Sequence, residues 1–280
     1  MKFSCLPVSL YEDIFSGRKS VVDWVRFATT LGLDGVDLSV KFFPTREEQE
    51  YATRAYPYDA IRQEIKMTGL ELCTLVCYPD LTHPDAGQRA REIEQMKADV
   101  RLAATLGARF VRVTAGQRHP GLQREQGIRW VIEGFRQGLD EAEKLGITLA
   151  YENHTKGAPW QYWDFSQPSA IFLEILNALN GTPLRVCFDT ANPLVIGEDA
   201  IALLEAVKER VVIVHAFDIR TVGAFEPVRP GTGVAPIKQA FSILKASGFD
   251  GWVSVEEASR TGKDGFEKAI AFVRDAWEKA

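Results

Sequence analysis

Four residues in the second half of the chain have side chains that bind divalent cations, and each closes a short apolar run. They are Glu152 after Thr148-Leu149-Ala150-Tyr151, Asp189 after Val186-Cys187-Phe188, His215 after Val212-Ile213-Val214, and Glu256 after Trp252-Val253-Ser254-Val255. A carboxylate at the end of an apolar strand is costly unless it is paired or bound to a cation. Any one of the four has an ordinary explanation. Asp189 alone would read as a cap for the next helix, and His215 alone as a satisfied core histidine. Three carboxylates and one imidazole, taken in order from successive runs, point instead to a single metal site. So oxygen-rich a set favours Mn, with Mg and Co next. Zinc prefers more nitrogen and sulfur but stays admissible.

For the four to converge, their runs must be neighbouring strands of one sheet, about 4.8 Å apart. The chain repeats one pattern that supplies this. A long amphipathic stretch ends in Gly, as at Gly32, Gly69, Gly107, Gly146 and Gly248, and a short β-branched run follows. Gly closes a helix end in the left-handed conformation, and the run after it is too short for a helix. The runs predict strands near Lys2–Leu6, Gly35–Leu38, Leu70–Val76, Phe110–Val113, Thr148–Glu152, Leu184–Phe188, Val211–Phe217 and Trp252–Glu256. Each is followed by a helical pattern, and no linker or low-complexity stretch interrupts the series. Eight strand–helix units in ~250–300 residues are the dimensions of an α/β (β/α)8 TIM barrel, and its chemistry lies where strands end. We expect one domain over residues 1–280. The rival, a doubly wound open sheet, lacks its phosphate fingerprint, since no GxGxxG follows the first run.

Bulk properties narrow the partners. With 280 residues, 46% hydrophobic and 25% charged, the chain can bury one sizeable core, and its net charge of −5 gives no general attraction to phosphate backbones. No basic stripe opposes that field, so nucleic acid is not an expected partner. No apolar run approaches the ~18 residues of a membrane span, and the apolar start is too short for a signal peptide. Cys5, Cys73, Cys77 and Cys187 form no CxxC pair and read as buried free thiols, as in a soluble cytoplasmic protein.

These pieces carry a resemblance over nearly the whole chain. Tyr151-Glu152-Asn153-His154, Phe188-Asp189-Thr190, Val214-His215-Ala216-Phe217-Asp218, Pro230-Gly231-Thr232-Gly233 and Gly248-Phe249-Asp250-Gly251-Trp252-Val253-Ser254-Val255-Glu256 resemble the xylose-isomerase-like TIM-barrel superfamily. That superfamily holds sugar phosphate isomerases and epimerases and also endonuclease IV. The resemblance implies that Glu152, Asp189, His215 and Glu256 bind one divalent metal. It also implies a sugar or polyol substrate and a homo-oligomer. As in the ketose 3-epimerases it is similar to, Glu152 and Glu256 would exchange a proton beside a carbonyl through a metal-stabilised enediolate. Two positions depart from the pattern. Asn192 stands where many members have His, and Phe217 where many have Lys.

Other enzymes share that first step. A dehydratase of an inosose or dehydroshikimate-like substrate, or a lyase of a keto-glycoside, is the alternative. A non-catalytic sugar-binding barrel is a minor one. A nuclease of the endonuclease IV kind needs more histidines than His83, His119, His154 and His215. Around the ligands, Trp160, Trp163, Asn192 and Arg220 are expected to touch substrate, with Tyr162 nearby. His154, two past Glu152, is expected to turn to the opposite face and serve behind the ligands, as is Asp218 beside His215. Glu257 is expected to face outward.

Overall fold

The computed structural model describes residues 1–44, 56–157 and 160–280. Eight parallel strands run through them: β1 (Lys2–Leu6), β2 (Gly35–Ser39), β3 (Glu71–Val76), β4 (Phe110–Val113), β5 (Thr148–Glu152), β6 (Arg185–Asp189), β7 (Val211–Ala216) and β8 (Trp252–Glu256). Their order in space is β1-β8-β7-β6-β5-β4-β3-β2. The sheet therefore curls until β1 and β2 meet, an almost closed TIM barrel. At that seam the Asp34 amide donates to the Phe3 carbonyl at 2.9 Å, and the Phe3 amide to Asp34 Oδ2 at 2.8 Å.

Among the described residues, eight helices of eight residues or more coat the barrel, besides the short helix Tyr11–Phe15: α1 (Val21–Thr29), α2 (Tyr58–Thr68), α3 (Ala86–Leu106), α4 (Arg124–Leu145), α5 (Ser169–Ala178), α6 (Ala200–Val207), α7 (Ile237–Ala246) and α8 (Gly262–Glu278). Their apolar residues recur at helical spacing. On α4, Ile128, Val131, Phe135, Leu139 and Ala142 are buried at steps of three and four, a stripe that must face the sheet. Ser20 and Asp23 cap α1 reciprocally. Gly107 ends α3 with φ 83°, so β4 can start within three residues. No described helix is long and apolar enough to cross a membrane.

Three apolar clusters result among the described residues. The largest lies between sheet and helices. A second fills the inside of the barrel with Cys73, Phe110, Ala150, Cys187, Ile213 and Trp252, and a third gathers Ala191, Val195, Phe217 and Ile219. Residues two apart on a strand share a face, so β8 shows the layers in order. Trp252 belongs to the apolar plug, Ser254 to a polar layer above it, and Glu256 to the rim. In the polar layer Asp37 Oδ2 accepts from Ser4 Oγ at 2.7 Å and Ser254 Oγ at 2.6 Å, which ties β1, β2 and β8 together at the seam.

Candidate active site

The strand ends bring Glu152, Asp189, His215 and Glu256 to one point. One ligand atom from each lies within 4.8 Å of the others. Register explains it, because Asp189 pairs directly with His215 across β6 and β7, while Ser254, two before Glu256, pairs with His215 across β7 and β8. His215 Nδ1 sits 2.8 Å from Glu152 Oε1 and 3.3 Å from Glu256 Oε2. Glu152, Asp189 and His215 are buried, and Glu256 is partly open, its side chain 19% exposed.

Neighbouring polar groups hold these four side chains still. Asp189 Oδ1 accepts from the amides of Ala191 (2.8 Å) and Asn192 (2.7 Å), an arrangement that leaves Oδ2 buried with no partner. The Asn153 side chain stitches β5 to β6, accepting from the Asp189 amide at 2.8 Å and donating to its carbonyl at 3.0 Å. Arg112, buried on β4, lies with Nε 3.0 Å from Glu152 Oε2 and donates from Nη1 to the Cys77 carbonyl. Nothing in the sequence reading singled out Arg112.

The charges are unevenly balanced. Burial alone would lift the Glu152 carboxyl, but Arg112 and then His215 outweigh it and hold Glu152 below its usual range. Asp189 goes the other way. Burial, then the negative charges of Glu256 and Glu152, push its carboxyl well above the carboxylate range. Three crowded carboxylates with one buried oxygen unbonded are an arrangement that a dication relieves. Cys187 also lies within reach of Glu152 and His215. Burial pushes its thiol up to about 12, so it enters at neutral pH as a neutral group and a poor ligand.

Above the cluster opens a cavity of about 490 Å³, within the usual range for small-molecule sites. Leu6, Tyr11, Tyr78, Phe217 and Phe225 supply apolar walls, and Arg112, Glu152, His154, Asn192 and Glu256 supply polar ones. Lys156, Ser259 and Arg260 also border it. A wider groove of about 1210 Å³ runs outside, between the short helix Tyr11–Phe15 and α8, but reaches none of the four clustered residues.

Of the residues expected to touch substrate, Asn192 lines this cavity, its Oδ1 bonded by Thr155 Oγ1 at 2.7 Å. The other three do not. Trp160 is buried behind His154 and Tyr78, its ring 5.5 Å from the imidazole. Trp163 is 41% exposed and packs edge-on to Phe225. Arg220 points to solvent beside Glu226, 3.7 Å away. His154 was expected on the opposite face from Glu152, yet it lines the same cavity, as residues two apart should. Asp218 does not turn to His215. Its carboxylate accepts from the amides of Ile219, Gly231, Gly233 and Ala235 and so folds the glycine loop. Glu257 is fully buried instead of outward-facing, and accepts from the Ser259 amide.

Residues 25–276 match the family of the xylose isomerase-like TIM barrel, and the chain belongs to it. Within that family, it is 25% identical over 98% of its length to the L-ribulose-5-phosphate 3-epimerase UlaE of Escherichia coli K12, covering 94% of that protein. Solved structures share the fold. The probable 3-DHS dehydratase AsbF of Bacillus anthracis gives a TM-score of 0.77 at 17% identity, over 98% of this chain and 99% of that one. The IOLI protein with a bound zinc atom gives 0.76 at 18% identity, over 100% and 99%.

Proposed function

We propose that the protein is a divalent-metal-dependent isomerase or epimerase of a ketose or keto-polyol. The observation that carries this reading is the meeting of two glutamates from different strands at one imidazole. Glu152 on β5 and Glu256 on β8 both reach His215 Nδ1 and both line the cavity. A substrate carbon lying between them has a carboxylate on each side. One takes the proton α to a carbonyl, and the other returns it to the opposite face.

Glu152, Asp189, His215 and Glu256 would hold the cation. The unbonded Asp189 Oδ2 and the crowding of three carboxylates fit a dication. When bound, it supplies Lewis-acid stabilisation to the negative charge of the enediolate. The oxygen-rich set favours Mn, and the zinc of the IOLI relative makes zinc the competing outcome. Arg112 keeps Glu152 ionised, and the aromatic walls exclude water from the exchanging carbon. UlaE is named for a phosphorylated ketose. Lys156 and Arg260 border the cavity with no carboxylate at salt-bridge distance among the described residues, and they are the groups a substrate phosphate would meet.

The test is elemental analysis of the purified protein beside Glu256→Gln, followed by solvent-deuterium incorporation into ketoses, keto-polyols and dehydroshikimate. About one metal per chain that is weakened in the variant, with deuterium entering a ketose at constant mass otherwise, is the expected result. Loss of water from the substrate would move the assignment to a dehydratase, a reading favoured by the likeness to AsbF. No metal after soaking with Mn, and no exchange, would sink both.

A further inference from the structure

His154 is placed with more care than a wall residue needs. It lines the cavity beside Glu152 and Asn192. Its Nδ1 faces Asp164 Oδ2 at 3.3 Å. Asp164 is itself completely buried and fixed, for its Oδ1 accepts from both the amide and the hydroxyl of Ser166 at 2.7 Å, and its amide donates to the Thr155 carbonyl at 2.7 Å. The ring of Trp160 at 5.5 Å and that of Tyr78 at 6.1 Å close on the imidazole from the sides. An imidazole pinned at Nδ1 presents Nε2 elsewhere, and among the described residues no protein group bonds that nitrogen.

The loop that carries Asp164 is anchored from the loops after the two preceding strands, β4 and β3. Gln117 forms an antiparallel bridge with Asp164, and its side-chain oxygen accepts from the Gln161 and Tyr162 amides at 2.8 and 2.9 Å. Asp80 grips Gln117 in turn, at its amide and its side-chain nitrogen, both at 2.9 Å, and also holds His119 at 2.8 Å. Gly116, with φ 124°, sits where a Cβ would run into Thr82 and Asp80. A buried polar network satisfied this completely fixes geometry. The geometry it fixes is that of His154.

We propose that His154 Nε2 is a hydroxyl-recognition point for the substrate, separate from the four ligands, and that Asp164 is its positioning residue. With Nδ1–H given to the Asp164 carboxylate, the lone pair of Nε2 faces the cavity and accepts a hydrogen bond from a substrate hydroxyl. The group selected is a neutral hydroxyl on the Glu152 side of the substrate. A site built to bond a hydroxyl rejects analogues that lack it far more strongly than an apolar wall does. This inference rests on the cavity being a sugar site.

The test uses the full chain loaded with diamagnetic Mg²⁺ and labelled with ¹⁵N-histidine. Only four histidines are present, and the His154→Gln spectrum assigns the one in question. D-fructose, D-tagatose, L-ribulose and L-ribulose 5-phosphate are added while binding is followed by calorimetry. We expect His154 to be protonated at Nδ1, and Nε2 to shift when a ketose binds. His154→Gln should weaken binding roughly tenfold, the loss of one neutral hydrogen bond, with metal content unchanged. Asp164→Asn should keep the fold yet scramble the Nδ1 preference. If a ketose binds, Nε2 stays unmoved and His154→Gln binds it equally well, the hydroxyl role is overturned while the sugar reading stands. If no ketose produces heat or moves any histidine, both are overturned.

Discussion

Arg112 decides how Glu152 is presented. Its guanidinium lies against that carboxylate at 3.0 Å, over the Tyr78 ring at 4.5 Å, in a place with almost no solvent. Removing one partner of a buried pair costs about 3–5 kcal/mol, because the other charge is left uncompensated. Arg112→Met should therefore lower stability by about that much in urea denaturation with EDTA present. Added divalent cation should recover part of the loss, since it supplies the missing countercharge. An equal loss with and without metal would show that Arg112 acts by packing alone. The cluster of Glu152, Asp189, His215 and Glu256 was legible in the sequence because each closes an apolar run, where a charge is conspicuous. Arg112 was not, because within Phe110-Val111-Arg112-Val113 it reads as an outward residue of an alternating strand. In a barrel the alternate face can point inward, and only closure of the sheet shows which face that is. Asp37, hidden inside Gly35–Ser39, escaped notice for the same reason. Trp160, Trp163 and Arg220 failed oppositely. Nearness in sequence to Glu152 and His215 does not say where a loop folds, and Gln117 draws the Trp160–Asp164 segment away from the cavity.

Among the helices, α3 carries an acidic side chain where its neighbours bury apolar groups. Asp99 is buried together with Met96, Val100 and Ala103, and accepts from Gln95 Nε2 at 2.7 Å. Burial pushes its carboxyl up to about 7, against the pull of that hydrogen bond and of the Lys41 charge. An unfolded Asp ionises near pH ~3.9. Between that pH and about 7 the unfolded chain releases a proton that the folded chain retains. The stabilisation is thus fully present below the unfolded pKa and is lost as pH rises through the folded one. Asp99→Asn keeps a partner for Gln95 and removes the titration. Relative to the parent, the variant should gain roughly 2–3 kcal/mol on going from pH 5 to pH 8, about two pKa units at 1.36 kcal/mol each. Paired denaturation curves at the two pH values check this. Parallel pH dependences would mean that Asp99 is ionised in the fold and held by Lys41. The helix itself was legible from its apolar spacing and from Gly107. The protonation of one of its side chains depends on what packs over it, which spacing does not reveal.

At the scale of the whole molecule, a net charge of −5 should repel a phosphorylated sugar, and that repulsion is weak only where local cations outweigh it. The cavity mouth is such a place. Lys156 stands over the Trp163 ring at 5.6 Å on one side, and Arg260 on the other has its amide fixed by Ser9 Oγ at 2.8 Å. Arg260 is also the one non-glycine residue with positive φ, 57°, among those described. A side chain held in that conformation carries a cost of order 1–3 kcal/mol, which other contacts must offset. A phosphate bound between two such exposed cations gains charge-assisted bonds, and that gain shrinks with salt. Lys156→Ala with Arg260→Ala should therefore raise KM for L-ribulose 5-phosphate on the order of a hundredfold, from the loss of two charge-assisted bonds of roughly 1.5 kcal/mol each. The KM for unphosphorylated L-ribulose, the metal content and the deuterium exchange at saturation should stay near the parent values. In 0.5 M salt the gap between parent and variant should narrow for the phosphorylated sugar. Equal losses on both sugars would place Lys156 and Arg260 in general support of the cavity. No loss on either would assign the mouth to neutral ketoses and leave the strained Arg260 to the β8–α8 loop alone.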